Sequence, residues 1–190
     1  MRRNPRIALV GPTSAAWDEI ESDVAPDLAR LARPGVALQY VVTGAGPRSI
    51  TSDADERAAA PHVVATIVRC EQQGFDAAIV DCTGDPGLDE ARRTVRIPVV
   101  GAGEALRRAI GSSAQPVMVL SGDELRASTT DQLGDRVRDA RTVALGGTGW
   151  SHLVPVLAGR GRVVLDPLDV ALTQCLALLG WDQDGSNQAG

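Results

Sequence analysis

The sequence predicts an α/β protein built on parallel β-sheets, and three observations lead to this fold class. Short runs of β-branched and other apolar residues alternate with helical patterns along the whole chain. Each run is almost entirely apolar, which is typical of strands covered by helices on both faces. With 190 residues and 44% hydrophobic content, the chain is long enough to bury such a core. We expect functional groups in the loops just after the strands, where helix N-termini converge.

Seven short apolar runs are predicted to form the strands. They span residues 6–10, 36–42, 77–80, 97–100, 117–120, 142–145 and 163–165. Residues 88–94, after the third strand, have a helical pattern. Another helix is expected to begin at His62, because Pro61 before it suits the first helical turn. The polar residues 181–190 predict a flexible tail.

The two halves of the chain resemble each other, which predicts two similar lobes. Residues 6–14 match 115–123, residues 76–84 match 140–149, and residues 96–104 match 161–169. The second half lacks a counterpart of residues 34–73, so we expect a trimmed copy without one strand and one helix. The generic appearance of βα units is the alternative explanation for this similarity.

The repeat also predicts how the chain is divided. We expect a first lobe in residues 1–101, which carries Cys82, and a shortened second lobe in residues 102–180, which carries Gly147. The C-terminal helix, residues 167–180, is a candidate to complete the first lobe. The repeat places Cys82 opposite Gly147, so we expect their loops to face each other across one cleft at the carboxyl ends of the strands.

Composition and charge exclude several classes of protein. The net charge is −5 and the arginines are scattered among acidic residues, so the basic stripe that nucleic-acid binding requires is missing. All 19 cationic residues are arginine, which excludes Schiff-base, pyridoxal-phosphate and Walker-type lysine chemistry. No apolar stretch approaches the roughly 20 residues of a membrane span, and the run 7–10 is too short for an export signal. We expect neither a nucleic-acid partner nor a membrane.

The three cysteines predict a reducing environment, and we expect a cytoplasmic location. Cys70, Cys82 and Cys175 are odd in number and widely spaced, without a disulfide or metal-ligand pattern. Cys70 and Cys175 fall on apolar helical faces, which predicts that both belong to the core. Any functional role therefore falls to Cys82, as a thiol.

The segment Asp81-Cys-Thr-Gly-Asp-Pro-Gly87 is the densest cluster of potentially functional residues. It follows a buried strand and precedes a helical pattern. A thiol at Cys82 would lie beside the free backbone N–H groups of Thr83 and Gly84, a setting that lowers a thiol pKa and binds carboxylates. Cys82 is therefore a candidate nucleophile or base. The alternative is a small core residue, because free cysteine is among the most buried residue types.

Two histidines are further candidates for acid–base chemistry. His152 lies one turn past the second-lobe loop that is expected to face Cys82, so a catalytic role and a structural role both remain open. His62 is expected to be solvated or to cap a helix. The glycine-rich loops 101–103 and 146–149 follow strands but lack the full dinucleotide-binding pattern, which argues against a nucleotide site.

Four segments of the first half form a recognisable pattern. They are Gly46-Pro-Arg-Ser-Ile50, Asp55-Glu-Arg-Ala-Ala-Ala-Pro61, residues 74–91 and Ile97-Pro-Val-Val-Gly-Ala-Gly-Glu-Ala105. Together they resemble the hydantoin racemase branch of the aspartate/glutamate/hydantoin racemase superfamily. The resemblance implies a fold of two α/β lobes and catalysis without a cofactor. It also implies a cysteine from each lobe on opposite faces of the substrate carbon, one removing a proton and the other supplying one.

The resemblance assigns roles to particular residues. Cys82 matches the first catalytic cysteine, with Thr83 and Gly84 as backbone donors. The other expected substrate-binding residues are Pro12, Thr13 and Ser14 after the first strand, and Ser121, Gly147 and Thr148 in the second lobe. The chain departs from the family pattern at Gly147, which replaces the second cysteine, and at Gly11, which replaces an asparagine. It also lacks one strand and one helix of the second lobe.

We therefore expect a racemase- or epimerase-like isomerase that uses Cys82 alone to transfer a proton at a carbon next to a carboxyl or carbonyl group. His152, Thr148 or a water would serve the other face. A one-cysteine decarboxylase or related lyase and a non-catalytic protein that binds small carboxylates are the alternatives. The expected partner is a small carboxylate or carbonyl compound, with no cofactor and no metal. A homodimer is also expected, because a trimmed lobe leaves apolar surface uncovered.

Overall fold

The computed structural model describes residues 3–181, with the backbone alone at position 160. Its strands are β1 (Arg6–Gly11), β2 (Ala37–Val42), β3 (Ala77–Val80), β4 (Val99–Gly101), β5 (Val117–Ser121), β6 (Thr142–Gly146) and β7 (Val163–Leu165). Its α-helices are α1 (Trp17–Leu31), α2 (Asp53–Gln72), α3 (Leu88–Thr94), α4 (Ala102–Gly111), α5 (Gly122–Ala127), α6 (Thr130–Arg136), α7 (Val154–Leu157) and α8 (Pro167–Leu178). Short 3₁₀ turns cover Ser151–Leu153 and Gly159–Gly161. The strand bounds lie within two residues of those predicted from the sequence.

The strands form two parallel sheets, which confirms the predicted fold class. The first sheet has the order β2-β1-β3-β4 and the second has the order β5-β6-β7. The second sheet has one strand fewer, in agreement with the missing counterpart of residues 34–73. Val10 pairs with Val80, and Ser121 pairs with Gly146. This register brings the loops after β1 and β3 together at one edge, and likewise the loops after β5 and β6.

The first sheet is packed between helices on both faces. On one face it contacts α8, whose apolar stripe of Leu168, Leu172 and Leu176 is buried at a spacing of one helical turn. On the other face it contacts α2 and α3, while a separate core lies between the second sheet and its own helices. Cys70 and Cys175 are buried in the two cores of the first sheet. The helix α8, the last one within residues 3–181, therefore covers the first sheet.

Three strands differ from the expectation that every strand is covered on both faces. β2, β5 and β7 lie at the edges of their sheets, and each has exposed residues. Val119 of β5 is 47% exposed, whereas β3, between two neighbours, is entirely buried. An apolar run predicts a strand but not its position in the sheet, which depends on partners distant in sequence.

The helix that contains His62 begins earlier than predicted. α2 starts after Ser52, whose hydroxyl accepts a hydrogen bond from the Asp55 N–H, and it continues through Pro61. Pro61 is exposed, while the opposite face of the helix is buried in the core. Burial of that face offsets the cost of an interior proline, which is about 3 kcal/mol. His62 is therefore an internal helix residue and does not cap the helix.

Trp181 is the last described residue, and it does not belong to a flexible tail. Its N–H donates to the Leu176 carbonyl at 2.9 Å, and its side chain packs against the core of the first sheet. The rest of the predicted tail, residues 182–190, lies outside the described residues. Within the part of the chain that the structure describes, no helix has the length and apolar character needed to cross a bilayer.

Candidate active site

The carboxyl ends of both sheets open onto one cleft of about 600 Å³. The loops after β1 and β3 and the start of α2 form one wall, and the loops after β5 and β6 form the other. The predicted site residues in its lining are Pro12, Thr13, Cys82, Thr83, Ser121, Gly147 and Thr148. The Cys82 and Gly147 loops therefore share one cavity, as expected from the internal repeat.

Three predicted site residues lie outside this lining. Gly84 faces a separate surface depression, and Ser14 donates its backbone N–H to the Pro47 carbonyl at 2.9 Å. His152 is exposed, and its ring centroid lies 6.0 Å from that of Trp150. The chain enters a 3₁₀ turn after Trp150, which leaves the tryptophan in the cleft wall and the histidine at the surface.

Cys82 lies directly after β3, where the strand gives way to a turn. Its N–H donates to the Val80 carbonyl at 3.0 Å, and its own carbonyl accepts from the Asp85 N–H at 3.1 Å. The side chain is half-buried and packs against the core formed with α2 and α3. The backbone N–H of Gly84 points to the sulfur. The thiol is thus held between an apolar core and the cleft.

The sequence predicts a lowered pKa for the Cys82 thiol, and this prediction is wrong. Burial, together with the carboxylates of Glu56, Asp81 and Asp85, raises the thiol pKa to about 11, although the Gly84 N–H acts in the opposite direction. One backbone donor does not outweigh burial beside three negative charges. The resting group at neutral pH is therefore a thiol.

The Cys82 loop is fixed to the N-terminus of α4 by Asp85, a residue whose role the sequence did not reveal. The Asp85 carboxylate accepts hydrogen bonds from the backbone N–H groups of Gly103 at 2.9 Å and Glu104 at 2.6 Å, and from Arg107 at 2.9 Å. A Cβ at Gly103 would lie 1.9 Å from the Thr83 carbonyl oxygen. The glycine-rich loop 101–103 therefore allows close packing against the Cys82 loop.

Tyr40 fills the space beside Gly11, where the family pattern has an asparagine. A Cβ built on Gly11 would lie 2.0 Å from the Tyr40 hydroxyl oxygen. Burial and the nearby Asp81 carboxylate raise the pKa of this phenol, so it stays protonated. The tyrosine, from β2, thus takes the place of a side chain on β1. No local pattern in the sequence links the two positions, because 28 residues separate them.

The predicted site residues of the second-lobe wall offer little acid–base chemistry of their own. The Ser121 hydroxyl is engaged in a capping box with Glu124 at the start of α5. Gly147 has no side chain, and a Cβ there would meet the Trp150 indole nitrogen at 3.4 Å, an ordinary contact. Position 147, where the sequence resemblance leads us to expect a second cysteine, is therefore open, with an indole beside it.

Asp81 was part of the predicted motif, but the sequence assigned it no role. It lines the cleft next to Tyr40 and Thr148. Its Oδ1 atom is buried and makes no hydrogen bond of standard geometry within residues 3–181. Burial and the carboxylates of Asp27 and Asp166 raise its pKa to about 6, while the Thr148 and Tyr40 side chains act in the opposite direction.

Acidic residues dominate the cleft wall. Six carboxylates line it, from Asp23, Asp27, Asp53, Glu56, Asp81 and Asp123. Arg126 is the one guanidinium among the described lining residues, and it is paired with Asp123 at 3.3 Å. A wall of this charge disfavours anions. Within the described residues, no three His, Cys, Asp or Glu side chains are grouped to hold a metal ion.

Two parallel sheets with a cysteine at their shared cleft define a class of two-lobed α/β proteins. Residues 7–131 match the Asp/Glu/hydantoin racemase family, and the chain belongs to that family. The hydantoin racemase of Pseudomonas sp. (strain NS671) is 40% identical over 74 residues, which are 39% of this chain and 30% of that protein. The hydantoin racemase of Paenarthrobacter aurescens is 31% identical over 101 residues, 53% and 42% of the two chains. The chain thus matches less than half the length of these curated relatives.

Solved structures share the fold over nearly the whole chain. Allantoin racemase from Klebsiella pneumoniae has a TM-score of 0.76 at 22% identity, covering 94% of this chain and 90% of that one. An arylmalonate decarboxylase has a TM-score of 0.60 at 14% identity, covering 93% of each chain. A glutamate racemase from Bacillus anthracis has a TM-score of 0.59 at 16% identity, covering 94% of this chain and 84% of that one.

Proposed function

We propose that this protein is a cofactor-independent isomerase of the racemase type, in which Cys82 transfers a proton at a carbon next to a carbonyl group. The observation that carries this proposal is the position of the Cys82 thiol, which lines the cleft at the carboxyl ends of both sheets and lies within the residues 7–131 that match the family. A chiral carbon bound there has one lobe on each face, which is the arrangement that inversion requires.

The acidic cleft favours a neutral substrate over a free carboxylate. Simple carboxylates would be repelled by the six acidic side chains in the wall. A cyclic amide such as a hydantoin is neutral, carries N–H groups that carboxylates accept, and has an acidic C–H next to a carbonyl. The curated relatives named above are hydantoin racemases. We therefore propose a hydantoin-type ring as the substrate class.

The proton transfer follows from the position of the thiol. When Cys82 is a thiolate, it accepts the substrate's α-hydrogen as a proton, and the C–H electron pair moves onto the carbonyl oxygen to form an enolate. We assign the backbone N–H of Thr83, a residue of the cleft lining, to that oxygen. The N–H of Gly84 stabilises the thiolate. Protonation of the enolate on the opposite face completes inversion. A pKa of about 11 leaves roughly one thiolate in ten thousand molecules at pH 7, so we expect the rate to rise with pH.

Replacing Cys82 tests this function. Pure enantiomers of 5-benzylhydantoin and of allantoin are incubated with the protein in deuterium oxide, and α-hydrogen exchange is followed by proton NMR. Cys82→Ala is expected to lower the racemisation rate by roughly two orders of magnitude or more, the usual contribution of a positioned acid–base group. Cys70→Ala removes a buried core thiol that does not line the cleft and is expected to keep the rate. Unchanged racemisation in Cys82→Ala contradicts the proposal.

A one-cysteine decarboxylase is the second candidate, and Gly147 favours it. Loss of carbon dioxide leaves a carbanion that needs a proton on one face only, so a missing second cysteine is no obstacle. An arylmalonate decarboxylase has the same fold. Release of carbon dioxide from phenylmalonate, without exchange of either hydantoin or allantoin, would select this candidate. Binding without either reaction would select a non-catalytic protein.

We also place the enzyme in the cytoplasm. Cys70, Cys82 and Cys175 are free in the structure, and two of them are buried. A reducing compartment keeps such thiols unpaired, and proton transfer by Cys82 requires a free thiol.

A further inference from the structure

We propose that Asp81 is the second acid–base group of this site and acts on the face of the substrate opposite Cys82, in place of the side chain that Gly147 lacks. This inference rests on the proposed function. It changes the expectation that one cysteine works alone, and it replaces His152, which the structure leaves at the surface.

The alternation of side chains along β3 separates the two groups. Ala77 and Ile79 point into the core that contains α8, whereas Ala78 and Val80 point into the core that contains α2. Cys82 packs against the second of these cores. Asp81 continues the series of Ala77 and Ile79, so its side chain points to the other side of the strand. It lies beside Tyr40, which packs against the first of these cores. Consecutive residues thus present a thiol and a carboxyl group to opposite sides of the strand end, and both line the cleft.

The Asp81 carboxyl group also reaches the second-lobe wall. The Thr148 side chain lies next to it, and Thr148 directly follows Gly147. Asp81 therefore lies on the side of the cleft where the family's second cysteine belongs. The space at Gly147 is open apart from the Trp150 indole. A carboxyl group from the first lobe fills the acid–base role on this side.

Two other buried carboxylates near the site, Asp85 and Asp166, are held by hydrogen bonds and ion pairs with helices, whereas Asp81 has only the Tyr40 and Thr148 side chains as hydrogen-bonding neighbours among the described residues. Asp85 accepts three hydrogen bonds from the start of α4. Asp166 accepts from the Leu168 N–H at the start of α8 and pairs with Arg30. Within residues 3–181, the Asp81 Oδ1 atom is buried and makes no hydrogen bond of standard geometry. The Asp81 residue as a whole is only partly buried and lines the cleft, so its carboxyl group is within reach of a bound ligand.

The charged groups that face Asp81 and Cys82 determine which of the two side chains is protonated at rest. Asp27 on α1 and Asp166 before α8 face Asp81 with like charge, and the Tyr40 phenol and the Thr148 hydroxyl flank it. Glu56 on α2 and Asp85, besides Asp81 itself, face Cys82. Burial and these charges place the pKa of Asp81 at about 6 and that of Cys82 at about 11. Near pH 8 the resting site therefore holds a carboxylate and a thiol.

With Asp81 as a carboxylate and Cys82 as a thiol, the site can invert the substrate carbon by two proton transfers. The Asp81 carboxylate removes the α-hydrogen of one enantiomer as a proton, and the C–H electron pair moves onto the carbonyl oxygen. The Cys82 thiol then protonates the carbon on the opposite face as the carbonyl re-forms. The protein is left with a protonated Asp81 and a Cys82 thiolate, which is the form that converts the other enantiomer. No oxidant, reductant or co-reactant is consumed.

Asp81→Asn tests the proposal, with Asp89→Asn on the exposed face of α3 as the matched control. The separate enantiomers of 5-benzylhydantoin are incubated with each protein in deuterium oxide, and chiral chromatography and proton NMR follow inversion and exchange. Asp81→Asn is expected to lower inversion by roughly two orders of magnitude while one enantiomer still exchanges, with retention, through Cys82. Cys82→Ala is expected to exchange only the other enantiomer. The low-pH limb of the rate profile near pH 6 is expected to vanish in Asp81→Asn.

The double variant Asp81→Asn/Gly147→Cys distinguishes a catalytic role of Asp81 from a role in supporting the fold. A thiol at position 147 is expected to restore inversion, because it returns an acid–base group to the same face. Inversion by Asp81→Asn at the control rate overturns the role of Asp81 and leaves the proposed function intact. Loss of exchange for both enantiomers without rescue by Gly147→Cys also overturns it, since Asp81 would then act only through the fold. A wild-type protein that exchanges neither 5-benzylhydantoin nor allantoin contradicts the proposed function itself.

Discussion

Two neighbouring residues, Asp81 and Cys82, have pKa values moved in the same direction by the same cause. Both lose contact with water at the end of a buried strand, and both face carboxylates from other elements. Desolvation and negative neighbours favour the protonated form of an acid. The sequence located Cys82 correctly in the cleft, but the charges around it come from residues far along the chain, so their effect was not predictable from the loop alone.

The raised pKa of Asp81 predicts a pH-dependent stability. An aspartate in an unfolded chain has a pKa of about 3.9, and the folded value is about 6. The folded state therefore binds this proton more tightly, so its contribution is fully present below the unfolded pKa and is lost as the pH rises through 6. Asp81→Asn is expected to raise the melting temperature at pH 8 and to change it little at pH 4, measured by circular dichroism. An equal shift at both pH values would contradict this assignment.

At the scale of single elements, the Cys82 loop is held by its contact with α4. The Asp85 carboxylate accepts from the first N–H groups of that helix, and Asp85 itself has a left-handed backbone with φ of 52°. Anions are favoured at helix N-termini because the free N–H groups point toward them. The loop therefore cannot move without breaking bonds to a core helix.

Gly103→Ala tests this contact. The added Cβ would lie 1.9 Å from the Thr83 carbonyl oxygen, a backbone atom that cannot rotate away. We expect a loss of about 1–3 kcal/mol in the free energy of unfolding, together with reduced racemisation as the Cys82 loop shifts. Gly111→Ala is the control, because nothing lies within 4 Å of its Cβ, and it is expected to be neutral or stabilising by about 0.5–1 kcal/mol. Urea unfolding of both variants measures the difference, and equal stability would refute the contact.

The sequence predicted the positions of the strands and of one helix well, but it did not predict which tertiary contacts these elements make. Apolar runs located all seven strands, and the helix at residues 88–94 has the predicted bounds. The pattern did not predict that α2 continues through Pro61, because the stabilising contacts come from the core and not from local preference. It also did not predict Tyr40 beside Gly11, which depends on the pairing of β1 with β2.

At the scale of the whole molecule, we propose that residues 1–101 form the first lobe and 102–180 the second, with α8 completing the first. The packing of α8 against the first sheet supports this division. Because α8 follows β7 in the chain but packs on the first sheet, the polypeptide crosses from the first sheet to the second and returns. The cleft lies where the carboxyl ends of the two sheets meet.

The shortened second sheet supports the expectation of a homodimer. Within the described residues no strand pairs with the outer edge of β5, and Val119 on that strand is exposed. An unpaired edge with apolar side chains favours association with a second copy. Light scattering at micromolar concentration is expected to report a dimer, and Val119→Asp to give a monomer. Val156→Asp, at an exposed site on α7, is the control and is expected to leave the dimer intact. A wild-type monomer would contradict this prediction.

Interconversion of enantiomers by the wild-type protein tests the central claim most directly. The measurement is chiral chromatography of optically pure 5-benzylhydantoin incubated at pH 8 with wild type, Cys82→Ala or buffer alone. We expect wild type to convert either pure enantiomer to a racemic mixture, whereas the rate with Cys82→Ala equals that in buffer within the error of the assay. Enantiomers that stay pure with wild type, or that racemise equally fast with Cys82→Ala, would contradict it.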